Sequence, residues 1–528
     1  MSGLPPSRTS FSEKMGLLNE RAVSSDTESE ADVAEVEQVA DRWGLLSAKL
    51  YLAHFSSSLA ALWDYLFSTS WRLWFLRLAN FLVPSFLQGR HAREQICPAK
   101  LSPTAYLDGM RGLAALFVYF CHYSYQGFTI AKSWGCADSN YEVFKLPFLR
   151  LWYQGPQAVC VFFVISGYAL SYRPLKLIRS RSISEFSTTM SSLVFRRGLR
   201  LYLPTAVSTL LIVCLLRVGA YEWTRDFAND RTYMRNIIEP HPLRMDNTYH
   251  QFRDWALHMY KFVHVFGWER FGGTTSYDVH LWTIPVEFRC SLYLFLVILG
   301  TARLQAKLRV LTVGGVMWFA YRHSRWDFLL FLGGMVLAEW DLARDAHASP
   351  PALPQDEKTV ERPAQPLWKR LFWISVSILG LYLLCQPDDG GDVTPGWRFL
   401  TSMIPSWWAE ESYRYWQSAG AVVFVAAVGH TGGWQHFFNL PAIQYLGKIS
   451  YALYLMHGPA MHTVGYHFEK WAYSLTGVDG YWYNAGFALG ACFCVPITIW
   501  WADVFWRAVD VPSVKFAKWV ERRCVGKN

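Results

Sequence analysis

Apolar residues arrive along this chain in blocks of a dozen or more, parted by short polar or basic connections, and ten such blocks follow Pro103. They cover residues 113–130, 156–172, 201–220, 281–302, 310–321, 328–340, 371–385, 418–429, 449–464 and 485–506. A perpendicular helix needs roughly 20 residues to cross a bilayer. The fifth, sixth and eighth blocks are therefore the weakest spans. Trp, Tyr and Phe crowd the block ends, as interfacial aromatic belts do. The pattern predicts an all-α polytopic membrane helix bundle with about ten transmembrane helices.

Outside the blocks the pattern changes. Residues 1–70 open with a polar stretch in which Ser24, Ser25, Asp26, Thr27, Glu28, Ser29, Glu30 and Asp32 nearly adjoin. That is too little apolar surface to offset ordering entropy, so a disordered acidic tail is expected. No basic region leads into an apolar core at the N-terminus, hence no cleavable signal peptide is evident. Residues 71–100 read as an interfacial amphipathic helix and linker, because Arg72 and Arg77 punctuate a Trp- and Leu-rich run that Pro84 breaks. Residues 101–507 form the expected membrane domain and 508–528 a basic cytosolic tail.

Charge then sets the sidedness. The connection after the second block carries Arg173, Lys176, Arg179, Arg181, Arg196, Arg197 and Arg200, and later connections on the same side carry Arg303, Lys307 and Arg309. Positive-inside logic makes that side cytosolic. The overall +9 in 528 residues is only mildly basic, and with 52% hydrophobic against 17% charged residues it excludes a nucleic-acid tail. The ten Cys contain no Cys-x-x-Cys, so neither metal ligation nor a disulfide framework is expected.

The chemistry concentrates in the first block, whose stretch YLDGMRGLAALFVYFCH holds Asp108, Arg111 and His122. Eleven positions at about 100° each return to nearly the same face, so Arg111 and His122 form one stripe, separated by roughly 16 Å along the axis. Ionisable groups at membrane depth mark a pathway or a site by default. The alternative is an interhelical hydrogen bond for His122 and a snorkelling Arg111. Asp108 is either a helix N-cap or an orienting neighbour of Arg111. In the fourth block Glu287 needs a partner or a proton, and His280 lies seven residues earlier on nearly the same face. An ion pair between Glu287 and an Arg from another helix is an equal alternative to a catalytic role. Arg289, two positions on, faces away. Ser166 lacks a nucleophile-elbow context and reads as a packing residue.

The arginine, ten residues, histidine pattern resembles the signature of the membrane-bound acyltransferase-3 family. Three further stretches are similar to it in order: VCVFFVISGYALS at 159–171, LWTIPVEFRCSLY at 281–293 and ISYALYLMHGP at 449–459. PSFLQG at 84–89 resembles the fungal branch. The resemblance implies O-acyl transfer, with acetyl foremost, from acyl-CoA to a hydroxyl of a sugar, lipid or other small metabolite. It makes acyl-CoA a cosubstrate, with no permanently bound cofactor and no metal. It implies His122 as general base, with Glu287 polarising a catalytic group or binding the acceptor hydroxyl. Arg111, Arg197 and Arg200 would hold the donor's phosphates or pantetheine, with Asp108 and His457 in support. The physical fit is that a neutral imidazole suits the base and a guanidinium suits phosphate. Membrane lipids are the expected surroundings and nucleic acid is not a partner. The rival from another class is a transporter or proton-coupled permease, in which the same buried groups line a translocation path.

Overall fold

A computed structural model of the chain describes residues 71–89, 101–137, 140–265, 273–344, 346, 366–408 and 410–525. The acidic tail over 1–70 and most of the linker before residue 101 lie outside the described residues. Two units divide the chain, 1–82 and 83–528. In the first, α1 (Trp71–Leu82) is the short helix expected before Pro84, with Leu76, Leu78 and Leu82 exposed.

The described residues of the second unit form helices joined by turns and irregular loops, with no extended strand beyond isolated bridges. In chain order it comprises α2 (Ala105–Tyr125), α3 (Gly155–Arg179), α4 (Ile183–Arg217), α5 (Glu222–Asn229), α6 (Thr248–Val263), α7 (Thr283–Thr301), α8 (Ala306–Arg322) and α9 (Trp326–Ala343). There follow α10 (Leu367–Leu384), α11 (Arg398–Ser402), α12 (Arg414–His430), α13 (Gly432–Phe438), α14 (Pro441–Ala460), α15 (Tyr466–Thr476), α16 (Tyr481–Phe505) and α17 (Val511–Cys524). Pro156 and Pro441 sit in the first turns of α3 and α14, where a missing N–H costs nothing.

Each of the ten apolar blocks falls on a helix. Among the described residues five helical segments are long and apolar enough to cross a membrane: α3, α4, α7 with the turn before it, α10, and α16 continued into α17. The helices α2 and α14 are not among them, because they carry Asp108, Arg111, His122, Lys448 and His457. Both pack against several neighbours, with His457 buried and His122 and Arg111 partly so, while Asp108 stays exposed at the start of α2. The basic connection after the second block is itself mostly helix, since α3 runs on to Arg179 and α4 starts at Ile183. The segment expected as a basic C-terminal tail likewise forms α17, which packs along α4 with an Arg196–Glu521 ion pair of 3.0 Å.

Small residues set the closest helix crossings, as expected where lipid supplies no hydrophobic drive between helices. A Cβ on Gly112 of α2 would lie 2.2 Å from the Gly447 backbone nitrogen of α14, and one on Gly167 of α3 would lie 2.1 Å from the Phe331 carbonyl of α9. Buried ion pairs tie the outer helices: Arg289 to Asp327 at 3.2 Å, and Arg309 to Glu339 at 2.8 Å. Arg289 thus faces away from Glu287, as its spacing predicts. One apolar core joins α2, α3, α9 and α12, and a second joins α4, α14 and α16. The cavities described next open between these layers.

Candidate active site

The α2–α14 contact brings the two motif helices into register. At the Gly112–Gly447 crossing Arg111 donates from Nε to Ser450 Oγ at 3.0 Å and from its terminal nitrogen to the Gly447 carbonyl at 3.4 Å. Asp108 stands 3.5 Å from the same guanidinium with its side chain half exposed. Since α2 begins at Ala105, Asp108 lies inside the first turn and is not the N-cap. Of the two readings, orientation of Arg111 is the one the helix permits. Gln444 completes the clamp by donating to the Ala105 and Phe438 carbonyls.

Arg111 lines a cavity of about 280 Å³ together with Arg197, Arg200, Lys448 and Glu287. Arg197 is buried, 2.7 Å from Glu287 Oε1 and 2.9 Å from Ser291 Oγ. Ser166 donates to the same carboxylate oxygen at 3.1 Å. Glu287 therefore has the interhelical arginine partner that its depth requires. It sits in the basic cavity and not in the one that holds His122. Ser166 serves as a hydrogen-bond donor beside the close-packed Gly167. Arg200 is exposed, and Asp510 lines the same cavity, so one carboxylate faces its four cationic residues beside the paired Glu287.

His122 lines a second cavity of about 470 Å³, with Tyr125, Asn236, His280, Trp282, Asp388, Glu411 and Tyr413 among its walls. Arg111 and His122 thus open into different cavities, whereas their shared stripe predicts one. Val118, Val159, Thr283 and Tyr454 belong to the walls of both. These four residues form the shared wall of a basic and an imidazole-bearing chamber. Thr283 Oγ1 donates to the Tyr454 hydroxyl at 2.6 Å, and that hydroxyl donates to the His280 carbonyl. Arg414 is already committed, 3.1 Å from Glu411 and stacked 4.1 Å over Trp326. Arg414 is the one Arg or Lys among the described residues that wall this chamber, and burial pushes the Asp388 carboxyl there up despite the opposing Arg150, so an anionic ligand meets no unpaired guanidinium or ammonium among them. A larger cavity of about 850 Å³, lined by Phe86, Tyr445, Pro496 and Trp500, holds no ionisable group other than tyrosine and stands apart from this chemistry.

Three imidazoles converge behind the second chamber. The His122 ring lies 4.2 Å from that of His280, edge to face, and 5.2 Å from that of His457, stacked. His280 is held on both sides: Nδ1 is 2.7 Å from Asp278 and Nε2 is 2.9 Å from Glu239. Asp278 also caps the turn before α7 by accepting from the His280 backbone N–H at 3.0 Å. A Cβ on Gly458 would meet His280 Nδ1 at 2.9 Å, so this glycine lets the Asp278–His280 pair reach α14. Glu239 further accepts from His462 at 2.8 Å and Gln126 at 2.9 Å. Burial alone would raise the Glu239 carboxyl; the His280 and His462 imidazoles outweigh it and hold the group well below the ordinary carboxylate range.

Local backbone makes this convergence possible. On an α-helix residues five apart point about 140° away from each other, yet His457 and His462 both face His280, at 4.8 and 5.9 Å between rings. The Met461–Gly465 turn that carries His462 is π-helical, and its wider winding begins just before that ring and turns it back toward His280. Pro459 cannot donate to the Leu455 carbonyl, and Ser208 of α4 does so instead at 2.9 Å.

Sequence reasoning placed His122, His280 and His457 but missed Glu239, Asp278 and His462. The Asp-x-His of DVH and the second histidine of HGPAMH were the available signals; Glu239 sits in a loop with none. Each of His122, His280 and His457 brings a ring nitrogen within 4.8 Å of the others, a donor set of a kind that can hold a divalent ion. His280, however, spends both nitrogens on carboxylates.

Comparison with known proteins follows the same stretches. The profile of the acyltransferase-3 family, described as an acyltransferase domain, matches residues 104–507. The chain is 30% identical over 461 residues to O-acetyltransferase PaAT-1 of Phomopsis amygdali, covering 84% of this chain and 88% of that one. It is 26% identical to acyltransferase R4 of a Phoma species, over 74% of this chain and 89% of the relative. Acyltransferase clz18 of Cochliobolus lunatus is also 26% identical, over 78% and 94% respectively. No solved structure matches.

Proposed function

The chain belongs to the acyltransferase-3 family, and from that premise we propose that it is a multi-pass membrane O-acyltransferase that moves an acetyl group from acetyl-CoA to the hydroxyl of a small acceptor. The observation that carries this is the pair of abutting chambers, one basic and one imidazole-lined, joined at Val118, Val159, Thr283 and Tyr454. Arg111, Arg200 and Lys448 receive the phosphates and polar arm of the donor from the cytosolic side. Arg197 is held in shape by Glu287. The roughly 16 Å of helix between Arg111 and His122 is spanned by the extended pantetheine, which passes between the two chambers at their shared wall and presents its thioester to His122. Glu287 in this account positions Arg197 and does not touch the acceptor.

The acceptor hydroxyl lies in the second chamber. His122 takes its proton as the oxygen attacks the thioester carbonyl; the carbon–sulfur bond then breaks, and His122 returns the proton to the departing CoA thiolate. Base catalysis of this kind is worth about 10²–10⁴ in rate. The printed name of one relative, an O-acetyltransferase, supports acetyl as the group moved. The acidic N-terminal tail over 1–70 and the interfacial segment over 71–100 flank the catalytic domain at 101–507 in this scheme.

The test is release of free CoA by purified protein given acetyl-CoA and an extract of hydroxylated metabolites, with the product identified by its gain of one acetyl unit. His122→Ala should abolish turnover in a folded protein, and normal turnover by it would remove the base assignment. Uptake of a solute into sealed liposomes without an acyl donor would instead favour a transporter.

A further inference from the structure

We propose that His457 is a positioning residue that fixes the tautomer of His122, a reading that rests on His122 as the base. His457 is fully buried in the last turn of α14. Its Nδ1 lies 2.7 Å from the Tyr454 carbonyl oxygen. A carbonyl only accepts, so Nδ1 carries the proton and Nε2 of the neutral ring carries the lone pair. That Nε2 is buried with no hydrogen-bond partner, and so is Nδ1 of His122 on the ring stacked against it.

Two unmatched nitrogens on adjoining buried rings are a costly coincidence, since a buried polar group without a partner keeps its desolvation penalty uncompensated. They are resolved together if His122 holds its proton on Nδ1 and directs it at His457 Nε2. One ring nitrogen of His122 and one of His457 lie within 4.8 Å of each other, and because the rings are stacked the bond forms when one ring turns edge-on to the other or when a single water bridges them. His280 does not serve in this role, because Asp278 and Glu239 occupy both of its nitrogens. With the His122 proton on Nδ1, Nε2 is left as the lone pair for the acceptor hydroxyl. The Tyr454 carbonyl thereby sets His457, and His457 sets His122. The second nitrogen of a working imidazole is normally directed by such a partner. The same residue, Tyr454, belongs to the shared wall past which the donor reaches, so donor seating and the protonation pattern of the base share one residue, the first through its side chain and the second through its backbone carbonyl.

The experiment uses the full chain labelled with ¹⁵N-histidine in detergent micelles, with His122 assigned by comparison with His122→Ala. The ¹⁵N spectrum reports which nitrogen bears the proton whether or not turnover is seen, so its outcome is separable from that of the acyltransferase reading. The wild type should show His122 protonated on Nδ1. His457→Phe, which keeps a stacked ring without a lone pair, should lose that pattern. In kinetics the same variant should lower kcat by about 100-fold or more, with KM for acetyl-CoA changed less than about twofold. His457→Gln, whose amide oxygen can accept from His122, should recover at least about tenfold of that loss. A wild-type His122 protonated on Nε2, an unaltered tautomer in His457→Phe, or one equivalent of a divalent metal bound to the wild type and lost in His457→Phe would each overturn the proposal.

Discussion

The Arg197–Glu287 pair gives the sharpest test of which groups hold the donor and which perform the chemistry. Glu287→Gln removes the charge and keeps the shape. Its effect follows from the surroundings: the Arg197 side chain is 9% exposed and that of Glu287 24%, with 2.7 Å between them. Breaking a fully buried ion pair costs about 3–5 kcal/mol. Here the value is reduced because the carboxylate borders a cavity and because the Gln oxygen still accepts from Arg197, whose second bond to Ser291 remains. A loss of about 1–2 kcal/mol is expected in unfolding measured in detergent micelles. Combining Glu287→Gln with Arg197→Met should recover part of the single-variant losses, for a coupling of about 1–3 kcal/mol, because neither partner is then left unmatched. In turnover, Glu287→Gln should raise KM for acetyl-CoA by up to about tenfold, equivalent to about 1.4 kcal/mol, with kcat largely retained. Unchanged stability alongside a kcat lowered more than about 100-fold would refute this reasoning and put Glu287 in the chemical step, as the sequence first suggests.

Arg111→Ala should weaken donor binding by about 10–100-fold, since a charge-assisted bond is worth about 1.5–3 kcal/mol; unchanged affinity for acetyl-CoA by calorimetry would reassign Arg111. Gly112→Val places a branched side chain 2.2 Å from the Gly447 backbone, where backbone and not a pliable side chain must yield. It should therefore lower the melting temperature and remove activity, whereas a wild-type melt would contradict the α2–α14 crossing. Burial, aided by His462, lowers His241 from its ordinary value to about 3. The unfolded chain therefore takes up this proton more readily, and the stability His241 provides is complete above pH 6.5 and lost as pH falls from 6.5 toward about 3. The slope is up to about 1.4 kcal/mol per pH unit. His241→Gln should flatten the acid limb of the melting-temperature profile, and an unaltered limb would argue against a neutral buried His241.

Helix type and order were legible because apolar blocks and basic connections are long-range features of composition. Arg111 and His122 were legible because helical periodicity puts both on one stripe and the resemblance fixes their spacing. The separation of their chambers was not, since it depends on Val118, Val159, Thr283 and Tyr454 meeting from four helices or turns, and no local period encodes a shared wall. The partner of Glu287 stayed open for a similar reason: depth says a carboxylate needs a cation, but not which helix supplies it. His462 was hidden by regular-helix geometry, which turns it away from His457, and only the π-helical turn beyond Pro459 brings it back. Glu239 stands in a loop where a single carboxylate carries no pattern at all.

The packing of α2 against α14 bears on how the protein is made. Asp108 and Arg111 lie in the first two turns of α2 and His122 in its last, so each end of this helix carries polar groups that a neighbouring helix, and not lipid, must satisfy. Its stable companions are α3, next in the chain, and α14, more than three hundred residues later. Ser450 and the Gly447 carbonyl, which receive the Arg111 guanidinium, are therefore made long after α2, and a chain ending before α14 lacks the partners that close the α2 surface.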